Sequence, residues 1–149
     1  MATNTIELKF DDQTGQSVDI DQFQQLANLA SVELELPPSI TLRFVGKSSM
    51  QRMNKYSSGN DYVTDVLSIN YAEAADLLPN EVPSEIVICP EAAASNAKKA
   101  HHGLVEELKL LFVHGLVHIA GYDHADTESK VEFDKIVSGI IEKAEKYND

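Results

Sequence analysis

Three of the chain's five histidines fall inside eleven residues, His114-Gly-Leu-Val-His118-Ile-Ala-Gly121-Tyr-Asp-His124. Residues four apart on a helix stand one turn above each other on one face, so His114 and His118 can aim at a single point. A third ligand from the next turn of a straight helix would face away. Gly121 removes that difficulty, because glycine just past a helix end accepts the left-handed backbone that turns the chain. The residues after it can then carry His124 back toward the first two. Three imidazoles with an open fourth position suit zinc, and more broadly nickel or another borderline divalent ion that keeps a water. Such an ion lowers the pKa of its water toward ~7 and polarises a carbonyl or phosphoryl oxygen. The chemistry expected is hydrolysis. A lone histidine on an apolar helix usually packs or faces solvent, but packing does not explain three at this spacing with glycine at the bend. His101 and His102 fit no ligand geometry and are assigned to the surface.

The spacing is also that of the metzincin metalloproteases, which place a glutamate directly after the first histidine as general base. Gly115 occupies that position here. Without the base the site is poorly suited to peptide hydrolysis. Glu107 precedes His114 by two helical turns and shares its face. It either supports a ligand imidazole from behind or orients water, or is an ordinary solvent-facing glutamate.

The ligands need a helix and something to hold it. Leu104 to Ala120 has Leu104, Leu108, Leu111 and Gly115 stacked on one face, which predicts that helix. Ile6 to Phe10 alternates apolar and polar residues as a half-buried strand does, and Asp12 to Gly15 supplies turn chemistry after it. Asp19 or Asp21 caps a helix carrying Phe23, Leu26, Ala27 and Ala30. Pro37-Pro38 ends that region, and a second strand follows over Ile40 to Val45. A short helix is expected around Ser49 to Tyr56, then a polar loop from Ser57 to Asp61. Val63 to Tyr71 and Glu85 to Cys89 read as two more strands, separated by an irregular excursion containing Pro79 and Pro83. Further helices are expected near Glu91 to Lys99 and after a cap at Asp126 or Thr127. The last buries Phe133, Ile136, Val137, Ile140, Ile141 and Ala144. The expected fold is α+β: one domain over residues 1–149, a mixed four-stranded sheet packed with about five helices, one of them a metzincin-like metal helix.

A chain of 149 residues can bury a sizeable core without staples, and its composition is that of a globular protein. The single cysteine, Cys89, excludes an internal disulfide and sits in an apolar run that predicts an inert, packed thiol. Neither a signal peptide nor a membrane span is evident, which predicts a cytoplasmic location. The net charge of −12 argues against nucleic acid until its distribution is considered. From Leu36 to Asn60 there is no Asp or Glu, while Arg43, Lys47, Arg52 and Lys55 all fall inside. That window is either a solvated edge or the electrostatic footprint of an RNA site.

The eleven-residue histidine segment resembles the signature of the YbeY family, metal-dependent endoribonucleases of bacteria and organelles. Thr64-Asp65-Val66-Leu67-Ser68 is similar to that family's Thr-Asp-Val-Leu-Ser-Phe strand, Glu85 to Pro90 resembles its Gly-Asp-Ile strand, and Glu107 falls on its glutamate before the histidines. The likeness spans about Asn54 to His124. It implies cleavage of single-stranded RNA, maturation of small-subunit ribosomal RNA and a part in ribosome quality control. In that role Arg43, Lys47, Arg52 and Lys55 supply phosphate contacts, and Tyr56 is placed to stack on a base or simply packs. Asp65 and Asp123 are the candidate general bases, although Asp123 equally suits capping the turn before His124. Three positions depart from the family pattern. Ser58 stands where an arginine is usual, Ile69-Asn70 replaces Phe-Pro, and Ser84-Glu85 replaces Gly-Asp. The missing arginine favours an alternative, a non-catalytic ribosome-assembly or RNA-binding factor with a structural metal. A metallopeptidase is the third reading.

Overall fold

The computed structural model describes residues 5–71 and 83–147. The alternating N-terminal segment forms β1 (Glu7–Asp12), which lies parallel to β2 (Ser39–Phe44) with Leu8 opposite Ile40 and Phe10 opposite Leu42. Parallel neighbours need a crossover, and α1 (Ile20–Glu33) supplies it. Of the two caps considered, Asp19 is the one used, its carboxylate accepting the Asp21 N–H. The chain then forms α2 (Lys47–Ser58), β3 (Val66–Ile69) and β4 (Ser84–Ile88). β4 joins β2 in parallel and β3 pairs antiparallel with β4, so the mixed sheet runs β1-β2-β4-β3. Three helices follow, α3 (Pro90–Lys99), α4 (Leu104–Ile119) and α5 (Thr127–Tyr147). The α+β architecture, with five helices and four strands among the described residues, is the one expected.

The pleat sorts the sheet's side chains onto two faces. Ile40, Leu42, Phe44, Ile86 and Ile88 enter the main core with Phe23 and Leu26 of α1, Leu108, Phe112 and Leu116 of α4, and Phe133 and Ile140 of α5. The other face is thinner, with Val87 and Cys89 packed against Val45 and Met50. The central helix is α4. It buries Leu108, Leu111, Phe112, Val113, Leu116, Val117 and Ile119, leaving the edge that carries His114 and His118 half-buried. Gly115 explains how close it lies to the sheet, since a Cβ there would stand 2.8 Å from Ile86 Cγ2.

The structure differs from the expected elements in small ways. β3 is shorter than the predicted strand because its ladder to β4 runs only from Val66 to Ile69. The Asp65 carbonyl goes to the Cys89 N–H instead, at 2.9 Å. Cys89 is buried, but at the N-cap of α3 rather than within β4. The predicted excursion around Pro79 lies outside the described residues. No described helix is long and apolar enough to cross a membrane.

Candidate metal centre and the cleft beside it

The turn after α4 is built as its glycine predicts. Gly121 has φ +103°, its N–H donates to the His118 carbonyl at 2.9 Å, and the Tyr122 N–H reaches back to Val117 at 3.3 Å. Those two bonds satisfy helix-end carbonyls in the Schellman pattern. Asp126 then caps α5, its carboxylate accepting the Ser129 N–H at 2.8 Å. Between these two anchors the chain returns His124 to the helix.

All three histidines converge. His114, His118 and His124 each offer a ring nitrogen, and these atoms lie within 4.8 Å of one another. His118 Nε2 and His124 Nε2 are 3.2 Å apart. Burial holds the His114 imidazole down to about pKa 4, with further lowering from the two neighbouring rings. Burial and then His124 lower His118 too. A ligand imidazole must be neutral, so this environment keeps these two donors ready at neutral pH. Three imidazole nitrogens in one place could hold a borderline divalent ion.

The triad forms part of an open cleft of about 770 Å³, whose other wall comes from Asn54 and Ser58 of α2, Asn60, Thr64 and Asp65, and β3 with Asn70 after it. Asp65 is held firmly there. Its Oδ1 accepts the Val66 N–H at 2.8 Å and its Oδ2 accepts from Asn96 Nδ2 at 2.7 Å. Asp123, by contrast, is exposed and its Oδ1 accepts the Ala125 N–H at 3.3 Å, the geometry of a turn-orienting residue. The two candidate bases are therefore not equivalent in position.

Ser58, the position of the missing arginine, faces this cleft. Its hydroxyl lies 2.7 Å from the Asn54 carbonyl and 2.6 Å from Asn54 Oδ1, stitching it into the last turn of α2. Among the described residues, no lysine or arginine lines the cleft. Of the four cations in the basic window, Arg43 is the clearest departure from expectation. It projects from β2 between Asp11 and Glu85, pairing with both and hydrogen bonding Glu85 at 2.6 Å. That bond leads the causes holding its guanidinium above the ordinary pKa. Strand register brings these carboxylates to it across the sheet, so its charge is met within the protein. Lys47 and Lys55 stand about a salt-bridge length from Glu91 and Asp61, at 4.0 and 3.9 Å, and both are exposed. Arg52 meets Ser49 Oγ at 3.2 Å and no carboxylate within salt-bridge distance among the described residues. Tyr56, 96% exposed, lies on the same outer side of α2 as Arg52, one turn along.

Two more expectations are corrected. Glu107 is buried, and its Oε1 lies 2.6 Å from His102 Nε2, so the residue it supports is His102 and not a ligand imidazole. Two helical turns, about 10.5 Å of rise, separate it from His114. His102 is accordingly half-buried rather than a surface residue, while His101 is exposed with φ +59°. Sequence reasoning also missed Asn96, whose role depends on a partner 31 residues away, and the meaning of Phe133. Phe133 was legible only as a core position of the last helix. Its ring in fact stands 4.6, 4.8 and 5.2 Å from those of His114, His118 and His124.

Comparison with known proteins agrees with this picture. A family model described as Endoribonuclease YbeY matches residues 4–145. The Endoribonuclease YbeY of Ureaplasma urealyticum serovar 10 is 32% identical over 142 residues, which cover 94% of this chain and 85% of that protein. The Helicobacter pylori protein of the same description (strain ATCC 700392 / 26695) is 36% identical over 118 residues, 78% of each chain. The solution structure of TM1509 from Thermotoga maritima superposes with a TM-score of 0.56 over 95% of this chain and 93% of its own, at 20% identity, a likeness of fold. Because the family model spans almost the whole sequence and the curated relatives cover most of it, the chain belongs to the endoribonuclease YbeY family.

Proposed function

We propose that this chain is a single-domain, metal-dependent endoribonuclease that cuts single-stranded RNA during maturation of small-subunit ribosomal RNA in the cytoplasm. The observation that carries the reading is the convergence of three imidazoles beside a cleft that also holds a fixed carboxylate. His114, His118 and His124 hold the ion, zinc or another borderline divalent metal. When bound, such an ion supplies Lewis acidity and a water acidic enough to attack a phosphodiester near neutral pH.

The chain's own groups do the rest. Burial keeps the His114 and His118 imidazoles neutral, so their nitrogens compete little with protons for the ion. Asp65 is the carboxylate that takes up a proton. Each of its oxygens already accepts one hydrogen bond, and a second lone pair on Oδ2 remains to receive the proton. Asp123 orients the turn that delivers His124. Arg52 and Tyr56 on the outer side of α2, with Lys47 and Lys55, offer phosphate contacts and a stacking face to RNA that passes from the cleft over that helix. A peptidase is disfavoured further by Gly115. Its Cβ direction points at Ile86, so a glutamate there would be driven into the sheet and away from the metal.

A second reading has one specific observation in its favour. Among the described residues the cleft carries no cation at Ser58 or elsewhere along its lining, and transition-state phosphate charge is usually met by one. On that reading the chain is an RNA-binding assembly factor of the small ribosomal subunit. Metal-replete wild type and His118→Ala on a single-stranded RNA separate the two. Cleavage by wild type alone is the expected result. Binding by both with cleavage by neither supports the assembly factor.

A further inference from the structure

We infer that Phe133 is a positioning residue for the metal ligands, the side chain that keeps His124 folded onto the pair carried by α4. The inference rests on the metal reading above. Two ligands ride on a helix whose hydrogen bonds fix their spacing. His124 does not. It sits in the exposed segment from Tyr122 to Asp126, between the end of α4 and the cap of α5. A ligand on such a segment must be ordered at each binding event unless something orders it beforehand.

Phe133 does that from the first turns of α5. It is fully buried, and its single ring touches all three imidazoles. Against His124 the rings cross at 88°, the edge-to-face arrangement that aromatic quadrupoles favour. The side chain backs the triad without appearing among the residues that line the cleft, so it shapes the ligands without meeting substrate. Because α5 is anchored independently through Ile140 and Ala144, the ring is a fixed surface against which the loop histidine settles. By linkage, whatever holds His124 in its liganding position raises affinity for the ion.

The test uses metal-stripped full-length protein titrated with Co²⁺, whose visible absorption reports ligation without any RNA. Wild type, Phe133→Leu and Ile140→Val are compared, with folding followed by circular dichroism. Ile140 is as deeply buried on the same helix but lies outside the ring contacts. Phe133→Leu is expected to bind Co²⁺ about tenfold more weakly, at the lower end of what supporting groups around ligands contribute. Ile140→Val should lower thermal stability and leave Co²⁺ affinity unchanged. Equal affinity of Phe133→Leu and wild type overturns the inference, as does an equal loss in both variants. Phe133→Met, closer in volume to phenylalanine, is judged by the same criterion should the leucine variant not fold. Failure of wild type to bind Co²⁺ is a different outcome, which overturns the metal reading itself.

Discussion

The two sides of the cleft are made in different ways. On the α4 side, three histidines come from eleven consecutive residues and one glycine turn, so their convergence is a property of local helix geometry. On the α2 side, the groups that would meet RNA depend on what the sheet and loops bring to them. Arg43 finds Asp11 and Glu85 across strands, and Ser58 is tied into its own helix where a cation would have reached the cleft. A metal site can be specified by short-range spacing, because its ligands need only point at one another. A phosphate site depends on net charge in a neighbourhood, and distant carboxylates cancel it. In this molecule the histidine cluster is set by local geometry, while the wall facing it carries, among the described residues, no lysine or arginine.

That contrast can be broken or sharpened by substitution. The largest effect is expected where the local design meets the sheet. Gly115→Glu should fail to yield folded protein, and Gly115→Ala should cost about 1–3 kcal/mol as its methyl meets Ile86. Thermal melts of both variants decide this, and a wild-type melt for the alanine variant would show that α4 can lift from the sheet. Next comes Ser58→Arg, which returns a cation to the cleft wall. One charge-assisted phosphate contact in the transition state, about 1.4 kcal/mol, corresponds to roughly tenfold in kcat/KM for single-stranded RNA. No gain would mean that the α2 side is not where the scissile phosphate lies.

Smaller effects separate the cations from one another. Arg52→Ala should weaken RNA binding and flatten the log-affinity against log-salt slope by about 0.7, one single-strand phosphate contact. Arg43→Ala should leave RNA affinity within about twofold and lower stability instead, since it strands two carboxylates on the sheet. Anisotropy titrations at several salt concentrations, run beside melts, read both. The gentlest test is pH. His114 is lowered in the folded, metal-free protein to about 4 from its ordinary 6.5, so the unfolded chain binds the extra proton between those values. The stability this histidine contributes is present above pH 6.5 and declines as pH falls toward 4. Denaturant melts across that range should follow this slope, and His114→Ala should flatten it.

How much could be read beforehand follows the same division. The histidine turn was legible because period and glycine chemistry act over a few residues, and the strands and helices because their apolar patterns do. Phe133 was visible as a core residue but not as the wall behind the ligands, since nothing in the pattern of the last helix says what its stripe will touch. Glu107 and His102 were misassigned for a related reason. Helical periodicity placed Glu107 on the face of His114, but the corner between α3 and α4 folded His102 onto it first. Arg43 looked like part of a basic patch because its partners lie 32 and 42 residues away in sequence. Local spacing reveals donors; only tertiary packing reveals which of them are already engaged.

The most direct test of the central claim is stepwise reloading of metal-stripped protein with Zn²⁺ while cleavage of a single-stranded RNA is followed. Activity should rise in proportion to bound ion and level off at one ion per chain, with His118→Ala inactive at every step. RNA cleavage by the stripped protein, or a fully loaded protein that leaves RNA intact, would contradict it.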